Sequence, residues 1–378
     1  MQMNRLFLFN PENDIALARD AQRFTPPRQA ALLHRAGCAL PFWLADPGDY
    51  ILVPEDSLEY VSIWMESMEL KGATAVSSAK DLDIAGLAPW GWSRDTVSQF
   101  LKAGVDTRLL APICDIMPRH RALSHRRTAL ALLEALRLKG VEIGYPLPIE
   151  ACSGEEIMKY ASRNGKVFIK SPWSSSGRGV FPADDRTMTS ALVRSAGIIA
   201  SQGSVMVEKA LDKVADFAML FTIGGAYAQF AGYSFFRNST DTNYGGNFVA
   251  SDADILREVG MHIEESRIEQ LKDTLLNVLP NILGKEYTGP VGIDMMVFRG
   301  EDGQFRIDPC VEINLRYTMG FVAGGIYRRR GRTGWMTMRP KTALESRAVS
   351  GSTATGEEPT FSLVPPNPWF DIIFSAQV

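Results

Sequence analysis

The stretch that decides the fold is FRIDPCVEINLR, residues 305–316, together with GIDMMVF, residues 292–298, which precedes it. Both runs are mainly apolar, and the segment GEDG between them is typical of a hairpin turn. Residues two apart in an extended strand share a face, so Glu312 and Asn314 lie side by side. Pairing of the two strands brings Asp294 within reach of them. The three side chains therefore predict an all-oxygen site for a divalent cation such as Mg²⁺.

The alternative is a hairpin whose acids simply face solvent. Asp294 follows VGI and precedes MMVF, and Glu312 is flanked by Val311 and Ile313. Both acids thus stand inside apolar strands, which favours a cation site over a solvated face.

A second feature lies upstream, where the predicted strand from Lys166 to Lys170 runs directly into SPWSSSGRGV. Glycines allow backbone amides to approach a phosphate closely, and serine hydroxyls add further donors. The loop has neither the spacing of a P-loop nor that of GxGxxG. Two alternatives stay open: the loop could be an ordinary flexible turn, and Lys170 a solvated strand end.

Four features follow one another along the chain: a strand that ends in Lys170, the Ser/Gly loop, a strand that ends in Glu208, and the acid pair. In this order they resemble the motifs of the ATP-grasp superfamily, over about residues 118 to 322. The resemblance implies ATP and one or two Mg²⁺ ions, with Mn²⁺ as a possible substitute. It implies a mixed α/β and α+β architecture, in which an N-terminal α/β domain precedes the ATP-grasp fold.

The resemblance also assigns roles to individual residues. Phosphate contacts fall to Lys170 and to the loop residues Ser174, Ser175, Ser176, Gly177, Arg178 and Gly179. A further phosphate contact comes from either Arg126 or Arg127, which the sequence alone does not separate. Adenine and ribose contacts fall to Glu208, Lys209, Leu211 and Asp216. Metal binding falls to Asp294, Glu312 and Asn314.

Two arginines are candidates for catalysis. Arg316 comes two residues after Asn314, and its planar guanidinium suits a substrate carboxylate; the alternative is a surface salt bridge. Arg237 begins the polar stretch RNSTDTNYGGN and suits phosphates or an anionic substrate, unless that stretch is only a solvated loop. The segment from Asn10 to Asp14 follows the first strand, where it could contact substrate or cap the next helix.

Four regions are expected along the chain. Residues 1–117 form the N-terminal α/β domain, residues 118–203 the part that bears the lid, residues 204–330 the part that bears the metal site, and residues 331–378 a partly flexible tail. The final apolar run, FSLVPPNPWFDIIFSAQV, is expected to dock back on the body.

Composition and charge limit the classes of partner that the chain is expected to bind. The chain has 378 residues, 46% of them hydrophobic, and a formal charge of -3, which is typical of a soluble globular protein. That charge offers no broad field for nucleic acid or for an anionic membrane. No secretory signal or spanning segment is evident, so a cytoplasmic location is expected, with a homodimer as a possibility. The four cysteines form no CxxC pair and are expected to be free thiols.

The expected reaction is phosphoryl transfer from ATP to a carboxylate of a small molecule or peptide, followed by attack of an amine on the acyl phosphate. Two alternatives remain: a kinase that phosphorylates a stable acceptor, and a module that binds nucleotide without catalysis. The complete set of metal ligands argues against the second alternative.

Overall fold

The computed structural model describes residues 4–21, 24–174, 179–238, 244–342 and 359–377. The strands are β1 Arg5–Leu8, β2 Tyr50–Leu52, β3 Thr74–Val76, β4 Gly86–Pro89, β5 Ile149–Ala151, β6 Val167–Lys170, β7 Val180–Ala183, β8 Val205–Lys209, β9 Asp212–Gly224, β10 Tyr227–Asn238, β11 Tyr244–Val249, β12 Thr288–Arg299, β13 Phe305–Asn314, β14 Gly334–Pro340, β15 Thr360–Ser362 and β16 Phe370–Ala376. The helices are α1 Asn13–Arg19, α2 Arg28–Ala36, α3 Leu58–Ser67, α4 Arg94–Lys102, α5 Thr107–Leu123, α6 Arg127–Leu138, α7 Gly154–Asn164, α8 Met188–Gln202, α9 Asp252–Gly260, α10 Glu265–Leu283 and α11 Met319–Arg330. None of these helices is both long enough and apolar enough to cross a membrane.

The chain divides into two compact units. The first comprises Met1–Pro118, Gly245–Ser251 and Arg316–Val378, and the second Arg119–Tyr244 and Asp252–Leu315. This grouping differs from the four regions expected from the sequence, because the residues after 315 return to the first unit. The return begins with a hydrogen bond from the backbone N–H of Tyr317 to the carbonyl of Trp90, 2.9 Å long.

The first unit contains a parallel sheet in the order β3-β2-β1-β4. Phe7 at its centre is paired with Ile51 on one side and with Ala88 on the other. The small α/β arrangement expected for the N-terminus is thereby confirmed. Ser93 caps α4 by accepting a hydrogen bond from the N–H of Thr96.

The first unit also contains antiparallel strands in the order β11-β14-β16-β15. Phe370, Ile372 and Phe374 alternate along β16 and are buried, which is the pattern of a strand with one covered face. The indole N–H of Trp43 donates to the carbonyl of Leu363 at 2.8 Å. The described parts of residues 331–378 therefore form strands, so the expectation of a tail was wrong for them. The expectation that the final apolar run docks on the body was right. Residues 343–358 lie outside the described ranges.

The second unit contains two antiparallel sheets. The smaller has the order β5-β8-β6-β7, with α7 and α8 packed against it around a core that includes Ile157, Val167 and Val205. In the larger, β13, β12, β9 and β10 lie side by side in that order, and α10 packs on β10. The predicted hairpin β12–β13 is formed, and β9 and β10 form a second antiparallel pair. These two sheets carry the side chains discussed next.

Candidate active site

Lys170 ends β6 and is buried, with only 6% of its surface exposed. Its Nζ lies 2.5 Å from Oε1 of Glu208 on the neighbouring strand β8, and it donates to the carbonyl of Val311 on β13 at 3.4 Å. The alternative of a solvated strand end is thus wrong. The Lys170 side chain is thus held against a carboxylate and largely removed from solvent.

The residues predicted to contact adenine, around Glu208, have different partners. The Glu208 carboxylate pairs with Lys170, whereas Nζ of Lys209 lies 2.8 Å from Oε1 of the exposed Glu301. Leu211 is half-buried in the short connection between β8 and β9. The Ala210 N–H donates to the carbonyl of Lys166 at 2.9 Å, which holds this connection against the start of β6.

The Ser/Gly loop is closed at its base by a backbone hydrogen bond from the N–H of Ser171 to the carbonyl of Gly179, 2.8 Å long. A Cβ on Gly179 would lie 2.5 Å from Cβ of Ser174, so the close approach requires glycine. Trp173 anchors the same base by donating from its indole N–H to the carbonyl of Arg121 at 3.0 Å. The predicted lid residues Ser175, Ser176, Gly177 and Arg178 lie outside the described ranges.

Arg126 connects the base of this loop to the acid pair. One terminal nitrogen donates to the carbonyl of Ser171 at 3.0 Å and to Oγ of Ser174 at 2.9 Å, and the other donates to Oε1 of Glu312 at 2.7 Å. Its Nε is buried and has no hydrogen-bond partner within the described ranges. Arg127 is half exposed and instead pairs with Glu150 at 3.2 Å. The structure therefore brings Arg126, and not Arg127, to the predicted phosphate region.

The three predicted metal ligands meet on the hairpin of β12 and β13. Asp294 and Glu312 are directly opposite each other, and Nδ2 of Asn314 donates to Oδ2 of Asp294 at 3.0 Å. No group of three or more His, Cys, Asp and Glu side chains within the described ranges is arranged to hold a metal. Two carboxylates with one amide suit Mg²⁺, which typically keeps several waters and binds phosphate oxygens as well. The donor set therefore fits this ion.

Comparisons of sequence returned nothing: no protein-family model and no curated protein matches the chain. Solved structures do match. N5-carboxyaminoimidazole synthetase from Staphylococcus aureus, complexed with ADP, is 10% identical with a TM-score of 0.51, over 100% of this chain and 94% of that one. A biotin carboxylase from Campylobacter jejuni, in a beta-gamma-ATP complex, is 11% identical with a TM-score of 0.52, over 99% and 87%. Phosphoribosylamine–glycine ligase from Thermotoga maritima is 11% identical with a TM-score of 0.51, over 98% and 91%.

The chain has the ATP-grasp fold. The fold class expected from the order of the motifs is confirmed, although the identities are too low to transfer an activity.

The predicted ribose residue of the ATP-grasp fold, Asp216, lies on β9. Its Oδ2 accepts from Nζ of Lys213 at 2.9 Å and from Nδ2 of Asn238 at 3.0 Å. Burial raises the pKa of this carboxyl, and the two donors oppose that rise. Arg237 is exposed near the end of β10, and residues 239–243 of its loop lie outside the described ranges. The roles of Asp216 and Arg237 stay predictions.

Arg316 belongs to the first unit, where its Nε and one terminal nitrogen lie 3.0 Å and 2.9 Å from Oδ2 of Asp14. Arg316 therefore forms a salt bridge, but this bridge is largely buried and not at the surface as the alternative expected, and a role in substrate binding stays a prediction. Neighbouring polar residues are used for internal bonds: the Asn10 amide donates to the carbonyl of Gly91 at 2.9 Å, and Glu12 lies 2.9 Å from Nδ1 of His34. Glu12 occupies the cap position of α1 without a side-chain cap bond, so the capping alternative for this segment was wrong.

Sequence reasoning missed one buried acid of the second unit. Oδ1 of Asp308 on β13 accepts from the hydroxyl of Tyr145 at 2.6 Å and from the N–H of Cys310 at 3.1 Å. Burial raises the pKa of Asp308 to about 6 and that of the Cys310 thiol well above its usual range. A signal was available, because Asp308 precedes a proline inside an apolar strand and lies four residues before Glu312.

Proposed function

We propose that the protein is an ATP-dependent ligase that activates a substrate carboxylate as an acyl phosphate, which an amine or similar nucleophile then attacks. The observation that carries this proposal is the convergence of Lys170, Arg126 and the base of the Ser/Gly loop on the strand of Glu312. These groups come from separate stretches of the second unit, yet direct hydrogen bonds join them.

The arrangement suits phosphoryl transfer, in which catalysis comes mainly from positioning and from stabilising developing negative charge. Lys170 and Arg126 supply two fixed cations, and Nε of Arg126, which has no hydrogen-bond partner among the described residues, offers one more donor. Glu208 and the Arg126–Glu312 pair hold these cations in place before substrate arrives. Bound nucleotide phosphates would compete with Glu208 for the ammonium group of Lys170.

Asp294, Glu312 and Asn314 would hold one or two Mg²⁺ ions, whose charge neutralises phosphate oxygens. The lid is proposed to cover the phosphates with Ser174, Ser175, Ser176, Gly177, Arg178 and Gly179. Glu208, Lys209, Leu211 and Asp216 are proposed to hold the nucleoside. We place Arg126 at the phosphates in preference to Arg127, because Arg126 already contacts both the loop and Glu312.

In the overall step, a carboxylate oxygen of the substrate attacks the terminal phosphorus of ATP and ADP leaves. The amine then attacks the acyl carbon, inorganic phosphate leaves with the bonding pair, and the amine loses a proton. Arg316 and Arg237 are proposed to hold the anionic substrate, which is a small molecule or a peptide. The names of the similar solved structures support this reading, since they include two synthetases or ligases and complexes with ADP and beta-gamma-ATP.

The test is release of ADP from ATP and Mg²⁺ in mixtures of amino acids, peptides and small acids, followed by mass analysis of the products. A ligase leaves ADP, free phosphate and a joined product. Accumulation of a phosphorylated acceptor without a joined product would replace the proposal with a kinase. A Glu312→Gln variant run beside the wild type controls for contaminating ATPases, because the same release from that variant would not come from this site.

A further inference from the structure

The strand β13 has a bulge immediately before Glu312. Asp294 is opposite Glu312, but two residues further along β12, Met296 is opposite Asp308, four residues away on β13. Pro309, Cys310 and Val311 thus form the bulge, where proline is tolerated because no ladder N–H is needed. Bulges redirect side chains and backbone groups, and they are frequent beside functional sites.

The bulge delivers two groups to the proposed phosphate site. The carbonyl of Val311 accepts the hydrogen bond from Nζ of Lys170, and Glu312 comes next in the chain, opposite Asp294 and bonded to Arg126. A regular ladder would shift every residue on one side of the bulge relative to β12, so Glu312 would no longer be opposite Asp294. The geometry of the site therefore depends on the bulge.

Asp308 holds the bulge in this form. Its Oδ1 accepts from the N–H of Cys310, two residues ahead, in the manner of an Asx turn across the proline. The hydroxyl of Tyr145 donates to the same oxygen, and the Tyr145 ring is packed edge-on against Phe298 at a centroid distance of 5.6 Å. Tyr145 thus comes from the connection before β5 and fixes the carboxylate from outside the hairpin.

The stability of the fold does not by itself explain why an aspartate occupies position 308. Asp308 is buried, and its partners within the described ranges are neutral donors, whereas a buried carboxylate loses much of its hydration. An apolar side chain of similar size would fill the same space at lower desolvation cost. It would lack the acceptor for the Tyr145 hydroxyl and for the Cys310 N–H, and the second of these bonds is the one that shapes the bulge.

We infer that Asp308, oriented by Tyr145, is a positioning residue that sets the bulge and thereby places the Val311 carbonyl against Lys170 and Glu312 against Asp294. This inference deepens the proposed function and rests on it for the identity of the ligand. The contacts that it explains belong to the protein without ligand, so part of its test is independent of nucleotide.

The test compares Asp308→Leu, Asp308→Asn and Tyr145→Phe. Asparagine keeps an acceptor oxygen for both donors, whereas leucine removes it. The matched control is Asp302→Leu, since Asp302 accepts a similar bond from the N–H of Gln304 at 3.1 Å but lies in the exposed turn of the same hairpin. Each variant is first shown to be folded by its unfolding transition.

The first readout needs no nucleotide: the rate at which an amine-acylating reagent labels Lys170, measured by peptide mass analysis. We expect Asp308→Leu to label about tenfold faster, on the scale of one lost hydrogen bond, with Asp308→Asn and Asp302→Leu close to wild type. Equal labelling in Asp308→Leu and wild type would overturn the inference. Faster labelling in Asp302→Leu as well would also overturn it, because the effect would then be general loosening of the hairpin.

The second readout is the affinity for Mg-ADP, measured by calorimetry. We expect Asp308→Leu to bind about tenfold or more weakly, Tyr145→Phe to lie between it and wild type, and Asp308→Asn to recover most of the affinity. Normal binding by Asp308→Leu would overturn the positioning role while leaving the proposed function intact. Absence of Mg-ADP binding by the wild type would instead refute the proposed function, and the labelling readout would still decide the role of Asp308 in the bulge.

Discussion

The pair formed by Lys170 and Glu208 allows stability and phosphate binding to be separated in one experiment. Lys170→Met removes the ammonium group and leaves the Glu208 carboxylate, which is only 20% exposed, without its partner. Breaking a buried ion pair from one side costs about 3–5 kcal/mol, and the partial exposure of Glu208 brings the expected loss of unfolding free energy to about 2–4 kcal/mol. Removal of both charges, in Lys170→Met with Glu208→Gln, is expected to recover most of that loss.

Phosphate binding is expected to behave differently. A hydrogen bond from a charged donor contributes about 1.5–3 kcal/mol, so Mg-ATP affinity should fall about tenfold to a hundredfold in Lys170→Met. Turnover should fall by about a hundredfold or more, the scale of one lost charge-stabilising donor. The double variant should keep both defects although its stability returns, because Glu208→Gln cannot replace the ammonium group.

The assays are urea unfolding for stability, calorimetry for Mg-ATP affinity and ADP release for turnover, each on the wild type, the two single variants and the double variant. Glu208→Gln alone is the matched control for changes at the hinge strand. If the double variant regained wild-type affinity together with its stability, Lys170 would be only one half of a structural ion pair, and its assignment to the phosphates would be refuted.

Three further predictions concern the proposed metal ligands, the lid and the buried His125. Glu312→Gln or Asn314→Ala should abolish Mg²⁺-dependent turnover with the fold retained; wild-type turnover at ordinary Mg²⁺ concentration would remove the metal assignment. Saturating ATP and Mg²⁺ should protect residues 174–179 from protease, and unchanged cleavage there would contradict a lid. Burial lowers the pKa of His125 to about 4. As the pH falls below about 6.5, the unfolded chain binds a proton at His125 before the folded protein does. The free energy of unfolding should therefore fall by about 3 kcal/mol between neutral pH and pH 4. His125→Gln should flatten this dependence in urea unfolding, and an equally steep variant would assign the loss to other groups.

Local pattern was enough to predict the hairpin that carries the proposed metal ligands. The apolar runs around Asp294 and Glu312 and the glycines of the turn predicted a hairpin, which the structure confirms, whereas the bulge that brings these two acids opposite each other was not predicted. The order of the motifs also predicted the ATP-grasp fold, which the solved structures confirm.

Tertiary structure alone decided which side chains meet. Arg126 and Arg127 are adjacent at a helix start, and only the packing of that helix sends Arg126 to Glu312, 186 residues further along the chain. Burial of Lys170 likewise depends on Glu208 and on Val311, which is 141 residues away. Asp308 looks like any acid in a strand until the bulge and Tyr145 surround it. Sequence periodicity reports which face of an element is covered, whereas the partner across that face is set by long-range packing that no local pattern encodes.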